Sequence, residues 1–104
     1  MPFHTRDRWG TTESNPPVER LRALLLSLDT VDPEHPDVSL NHDSGWSLSA
    51  FPSGRLVWEN VEMAGSAPRH MPGVPREKVL ALWLSLTQDN IAAIEAEAWL
   101  PGYG

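Results

Sequence analysis

Two turns closed by glycine constrain this chain more than anything else in it. Asp43-Ser44-Gly45 and Pro52-Ser53-Gly54 each stand between short segments in which apolar and polar residues alternate. Period two is the mark of a half-buried strand. A three-residue hairpin loop is a type I turn closed by a residue in the left-handed region, where glycine is favoured. Gly45 and Gly54 take that place, and the register follows. The first turn pairs His42 with Trp46, Leu40 with Leu48 and Val38 with Ala50. The second pairs Ala50 with Leu56, Leu48 with Trp58 and Trp46 with Asn60. Every large apolar residue of the first two strands, with Leu56 and Trp58, then lands on one face. A two-residue loop slips the pairing by one and splits that face. The sequence therefore predicts a three-stranded antiparallel β-meander over residues 37–42, 46–51 and 55–61. Its other face reads Ser39, Asn41, Ser47, Ser49, Val57 and Glu59, a solvated surface or a contact surface on which short side chains admit a partner close to the backbone.

Two main helices flank the meander. Asn15-Pro16-Pro17 reads as a start, with Asn as the cap and Pro in the first turn. Val18, Leu21, Leu25 and Leu28 then recur at helical spacing, so a helix is predicted over 16–28, with Leu26 off its apolar stripe. Pro75 and Glu77 open the second, predicted over 75–87, where Val79, Leu82, Trp83 and Leu86 form the stripe and Leu80 and Leu84 widen it. Residues 62–73 read as a loop. Ile91 and Ile94 suggest a short third helix capped by Asp89, followed by an extended tail. Residues 1–14 show no periodicity and read as an irregular arm, with Trp9 docked on the body. The expected architecture is one two-layer α+β domain over 15–104.

Charge is the next constraint. The formal net charge is −6, and no Lys or Arg occurs between Arg22 and Arg55. That interval holds Asp29, Asp32, Glu34, Asp37 and Asp43. An acidic surface repels phosphate backbones, which argues against nucleic acid and for a basic protein partner. The acidic loop over 29–36 has no Gly and does not follow the calcium-loop pattern. The absence of Cys excludes disulfides and thiolate metal sites. No apolar stretch reaches the length of a membrane span, and residues 1–10 carry charge rather than a signal-type apolar run, so the sequence reads as cytoplasmic.

No motif forces a reaction. His4, His35, His42 and His70 show no zinc-type spacing, and no phosphate-binding glycine loop occurs. His42-Asp43-Ser44 is adjacent in sequence, but no Gly-x-Ser-x-Gly elbow is present and the turn explains Gly45. Glu95 and Glu97 would share one side of a strand, as paired carboxylates. The row His42, Trp46 and Asn60 lies at one end of the apolar face. It either bonds to itself or orients a small ligand at the mouth of a pocket between sheet and helices. Five Trp against one Tyr is unusual in 104 residues. Trp46, Trp58 and Trp83 fall on core faces. Trp9, Trp99 and Tyr103 fall in the ends and are the contact candidates.

In outline the chain resembles small bacterial immunity proteins, which bind and block a cognate toxin. The likeness rests on size, acidity, lack of Cys, the two-turn meander and the flanking helices, and no diagnostic motif carries a functional residue across. It implies a non-catalytic cytoplasmic inhibitor with no cofactor and no metal. Asp29, Asp32, Glu34 and Asp37 would steer a basic toxin surface, and Trp9, Trp99 and Tyr103 would anchor it. The alternative is a small-ligand-binding or enzymatic domain using His42, Trp46 and Asn60. The chain is expected as a monomer, or as a homodimer through Leu26 or the edge of the third strand.

Overall fold

The computed structural model describes residues 2–30, 32, 34, 37–63 and 65–104. Val31, Pro33, His35 and Pro36 lie outside it, so the proline punctuation of the acidic loop and the His35 candidate do too. The elements run β1 (Phe3–Arg6), β2 (Thr12–Ser14), α1 (Val18–Ser27), β3 (Val38–His42), β4 (Trp46–Ala50), β5 (Leu56–Asn60), β6 (Arg69–Met71), α2 (Arg76–Thr87), α3 (Ile91–Glu95) and β7 (Leu100–Pro101). Among the described residues, seven strands join one antiparallel sheet in the order β2-β1-β3-β4-β5-β6-β7. The fold is α+β, and among the described residues no helix is long and apolar enough to cross a membrane.

The centre of the sheet is β3–β5. Val38 faces Ala50, Leu40 faces Leu48, Leu48 faces Trp58 and Trp46 faces Asn60. Gly45 and Gly54 take φ of +94° and +89°, the left-handed geometry that the turns require. One face of this sheet carries all three helices. Val38, Leu40, Leu48, Leu56 and Trp58 pack with Leu21, Leu25 and Leu28, with Val79, Trp83 and Leu86, and with Ile94. None of these is more than 3% exposed. Burying each such side chain stabilises the fold by about 1.5–3 kcal/mol. Trp83 also donates its indole N–H to the Leu48 carbonyl at 3.1 Å, fastening α2 to the central strand.

The sheet is larger than the three strands predicted. Residues 1–14 are not an irregular arm: β1 and β2 form a hairpin, and β1 pairs along β3, with Thr5 opposite Leu40. Thr5 is 2% exposed, so this segment belongs to the core layer. The 62–73 segment contains β6, and the tail contributes β7. The third meander strand, β5, is paired on both sides, so it offers no free edge for dimerisation.

The helix starts differ as well. Pro17, not Asn15, is the N-cap of α1. Asn15 sits at φ +48° and extends the β1 hairpin instead, its Oδ1 accepting from the Phe3 N–H at 3.1 Å. Asn tolerates that conformation better than most residues. Asn90, not Asp89, caps α3, its Oδ1 accepting from the Ala93 N–H at 3.3 Å.

Candidate functional site

The β1–β2 turn is built by Asp7. Its Oδ1 accepts from the N–H groups of Trp9 and Thr11, both at 2.9 Å, an Asx-type turn. The turn sends Arg8 inward and Trp9 outward. Arg8 is 7% exposed and Trp9 is 64% exposed, so Trp9 keeps most of its surface in solvent. The Arg8 guanidinium donates to the carbonyls of Ser27 at 2.6 Å, Thr30, and Asp32 at 3.4 Å. Carbonyls at the end of α1 have no partner within the helix, and a cation there also complements the helix dipole. Arg8 therefore ties the connection that bears Asp29, Asp32 and Glu34 to the turn that bears Trp9. Asp29 and Glu34 are exposed and Asp32 is half-buried. Arg8 had no visible role in the sequence, because its partners are carbonyls that no side-chain pattern announces.

The helix-free face of the sheet is a polar groove of about 560 Å³. Ser39, Asn41, Ser47 and Ser49 form its floor, His4 and Arg6 one wall, and Asp37 lines the end nearest Arg8 and Gly10. The floor is internally bonded: Ser47 Oγ donates to Asn41 Oδ1 at 2.8 Å, and Asn41 Nδ2 donates to Ser39 Oγ at 3.1 Å. Four of the seven predicted partner-binding residues, Asp29, Asp32, Glu34 and Trp9, thus share one tied corner, and Asp37 lies at the adjoining end of the groove. Trp99 and Tyr103 belong to the far edge. Trp99 is half-buried, stacks at 6.3 Å on Trp58 and donates its indole N–H to the Ile94 carbonyl at 2.7 Å. Tyr103 is exposed and donates its hydroxyl to Glu59 Oε2 at 2.8 Å. That bond raises the Tyr103 pKa, because the neighbouring carboxylate disfavours the phenolate.

The His42–Trp46–Asn60 row stands where the register put it, but its members are committed. Trp46 lies flat on Trp58, ring centroids 4.3 Å apart and planes 6° from parallel. Asn60 Oδ1 accepts from the N–H groups of Glu62 and Met63, both at 3.0 Å. His42 Nε2 lies 2.5 Å from Asp89 Oδ1, and His42 Nδ1 lies 2.7 Å from Ser44 Oγ. The Ser44 backbone N–H also donates to Nδ1, at 3.1 Å. That bond makes Nδ1 an acceptor, so the ring proton of the neutral imidazole sits on Nε2 and donates to Asp89. The bond from His42 holds the Asp89 carboxyl below the usual carboxylate range. Behind the row, Leu48, Trp58, Trp83 and Leu86 are each 0% exposed, so these side chains fill the layer in which the alternative reading placed a pocket.

Glu95 and Glu97 do not act as a carboxylate pair. Glu95 receives both Nη groups of Arg69, at 2.7 and 2.8 Å, and Glu97 meets Lys78 at 2.6 Å. Among the described residues no three His, Asp or Glu side chains form a metal-holding group. Comparison with family models, with curated proteins and with solved structures finds no match to this chain.

Proposed function

We propose that this chain is a protein-interaction module of the immunity type, a cytoplasmic inhibitor that binds a basic toxin and blocks it by occlusion. The observation that carries this reading is the Arg8 clamp, which joins an exposed Trp to a loop of carboxylates on one surface. The roles divide by physics. Asp29, Asp32, Glu34 and Asp37 supply a long-range field that accelerates encounter with a basic partner. Trp9 supplies the large apolar contact on which affinity concentrates. Occlusion needs no chemistry, so the binding function stands without a catalytic group.

The test is capture of partners from the native lysate at low and moderate salt, followed by binding of the recovered protein in purified form. The fourfold variant D29N/D32N/E34Q/D37N is expected to slow association about tenfold or more and to flatten its salt dependence. Trp9→Ala is expected to speed dissociation while leaving association nearly unchanged. A partner whose binding ignores all five positions overturns the reading.

A further inference from the structure

We infer that Ser44 is an activated hydroxyl that accepts an acyl group from small activated esters, with His42 as its base. The inference starts from a chain of hydrogen bonds that no sequence motif contains. Ser44 Oγ, His42 Nδ1, His42 Nε2 and Asp89 Oδ1 are joined by contacts of 2.7 Å and 2.5 Å. These are the working distances of a nucleophile, its base and the group that orients the base. The tautomer is the required one. Nδ1 is free of a proton and faces the hydroxyl, while Nε2–H faces the carboxylate. Ring nitrogens are exchanged relative to the most familiar serine triad, which leaves the proton logic unchanged.

Access and burial are divided in the same way. The His42 side chain is 3% exposed, whereas Ser44 is exposed on the β3–β4 turn. Two clefts flank that turn, of about 560 and 440 Å³, and His42 and Glu62 line both. Neither cleft is lined by Ser44 itself, whose hydroxyl is reached from the exposed side of the turn. Asn60 supplies one donor facing the turn. Its Oδ1 is fixed by two backbone N–H groups, which aims Nδ2 at the Ser44 carbonyl across a long 3.4 Å contact. That contact steadies the turn that presents Ser44, and Asn60 itself is only 7% exposed.

The step balances without a further reagent. As Ser44 Oγ bonds to the ester carbonyl carbon, its proton passes to His42 Nδ1, and Asp89 stabilises the imidazolium. The bond from that carbon to the leaving oxygen then breaks, and the leaving group takes the proton from Nδ1. Water repeats the sequence on the acyl-serine, releasing the acid and restoring Ser44. Asp89 is a positioning residue here, since it acts through His42.

This reactivity is independent of the toxin-binding reading. Asp37 precedes the first residue of β3 and Ser44 follows its last, so the two surfaces lie at opposite ends of that strand.

The probe is p-nitrophenyl acetate. The wild-type chain is expected to release a nitrophenolate burst stoichiometric with protein, and the peptide bearing Ser44 is expected to carry one acetyl group. Ser44→Ala should reduce that labelling about tenfold or more, with urea denaturation showing that it folds. Ser44→Cys should keep the burst, because a thiol replaces the hydroxyl at the same place. Asp89→Asn should lower the burst rate and move its pH profile, which a purely structural role does not do. Equal acetylation of wild type and Ser44→Ala, or an acetyl group found only on Lys78 or another residue, overturns the inference.

Discussion

The indole N–H of Trp58, a side chain with no exposed surface, donates to Glu95 Oε1 at 3.0 Å across 37 residues of chain. The same carboxylate takes a bidentate grip from Arg69. Glu95 thus joins α3 to β5 and β6 at once. Glu95→Ala leaves a buried donor without an acceptor, which costs about 1–3 kcal/mol. Urea denaturation checks this, and a loss well under that range means water replaces the carboxylate.

The same group sets an acid limit. The hydrogen bonds from Arg69 hold the Glu95 carboxyl below the usual carboxylate range. A depressed folded pKa contributes stability above the unfolded pKa, about 4.3 for Glu, and that stability is lost as pH falls through the folded value. Stability should therefore decline from about pH 4.3 downward. In Glu95→Gln that part of the acid slope should be shallower, as followed by thermal melts across pH. An unchanged slope assigns the acid loss to other carboxylates.

Gly45 and Gly10 both hold positive φ, +94° and +85°, but their surroundings differ. A Cβ at Gly45 meets Asn60 Oδ1 at 2.6 Å and Glu62 Cβ at 2.9 Å, whereas at Gly10 nothing lies within 4 Å. Gly10→Ala should cost only the left-handed strain, about 1–2 kcal/mol. Gly45→Ala should cost clearly more. Matched denaturation curves decide it, and equal losses show that the turn shifts to relieve the clash.

Arg8→Lys keeps the charge and removes the planar fork that reaches three carbonyls. We expect a loss of about 1.5–3 kcal/mol, the range for hydrogen bonds to a charged group. Amide exchange at Thr30 and Asp32 should quicken more than exchange in β4. Uniform quickening marks a global effect and removes Arg8 from its role as a local clamp.

Leu40→Ala should cost about 2–5 kcal/mol, since Leu40 has no exposed surface at the centre of the sheet. Leu26→Ala should stay within about 0.5 kcal/mol, since Leu26 is 65% exposed. A large loss at Leu26 in a concentration-dependent melt places it in a dimer interface.

The meander and the main helices were legible because strong local signals agreed there. Gly45 and Gly54 fixed the loop lengths, and the alternation of Val38, Leu40, Trp46, Leu48, Leu56 and Trp58 left one workable register. The outer strands were not legible. Phe3–Arg6, Thr12–Ser14, Arg69–Met71 and Leu100–Pro101 are two to four residues each, too short for a period to show, and they are strands because a neighbour completes their ladder. Of the partner-binding set, the carboxylates could be read from charge, but their proximity to Trp9 depends on Arg8 and backbone carbonyls. The link from His42 to Asp89 spans 47 residues, and nothing local at either position indicates it. Trp99 and Tyr103 lie outside regular structure, as the sequence reads, but their tertiary contacts with Trp58 and Glu59 at the sheet edge had no local signal.

The strand order has a kinetic corollary. Neighbouring strands in the sheet are joined by short connections except β1 with β3, which closes around β2 and α1, and β6 with β7, which closes around α2 and α3. Short loop closures are entropically cheap, so the ladder can zip outward from the two glycine turns before the N-terminal hairpin is fitted to it. Substitutions in β3–β5 should then slow refolding, while those in β1 and β2 should mainly hasten unfolding, which makes the edge that carries Trp9 and the Arg8 clamp the first part of the molecule to let go.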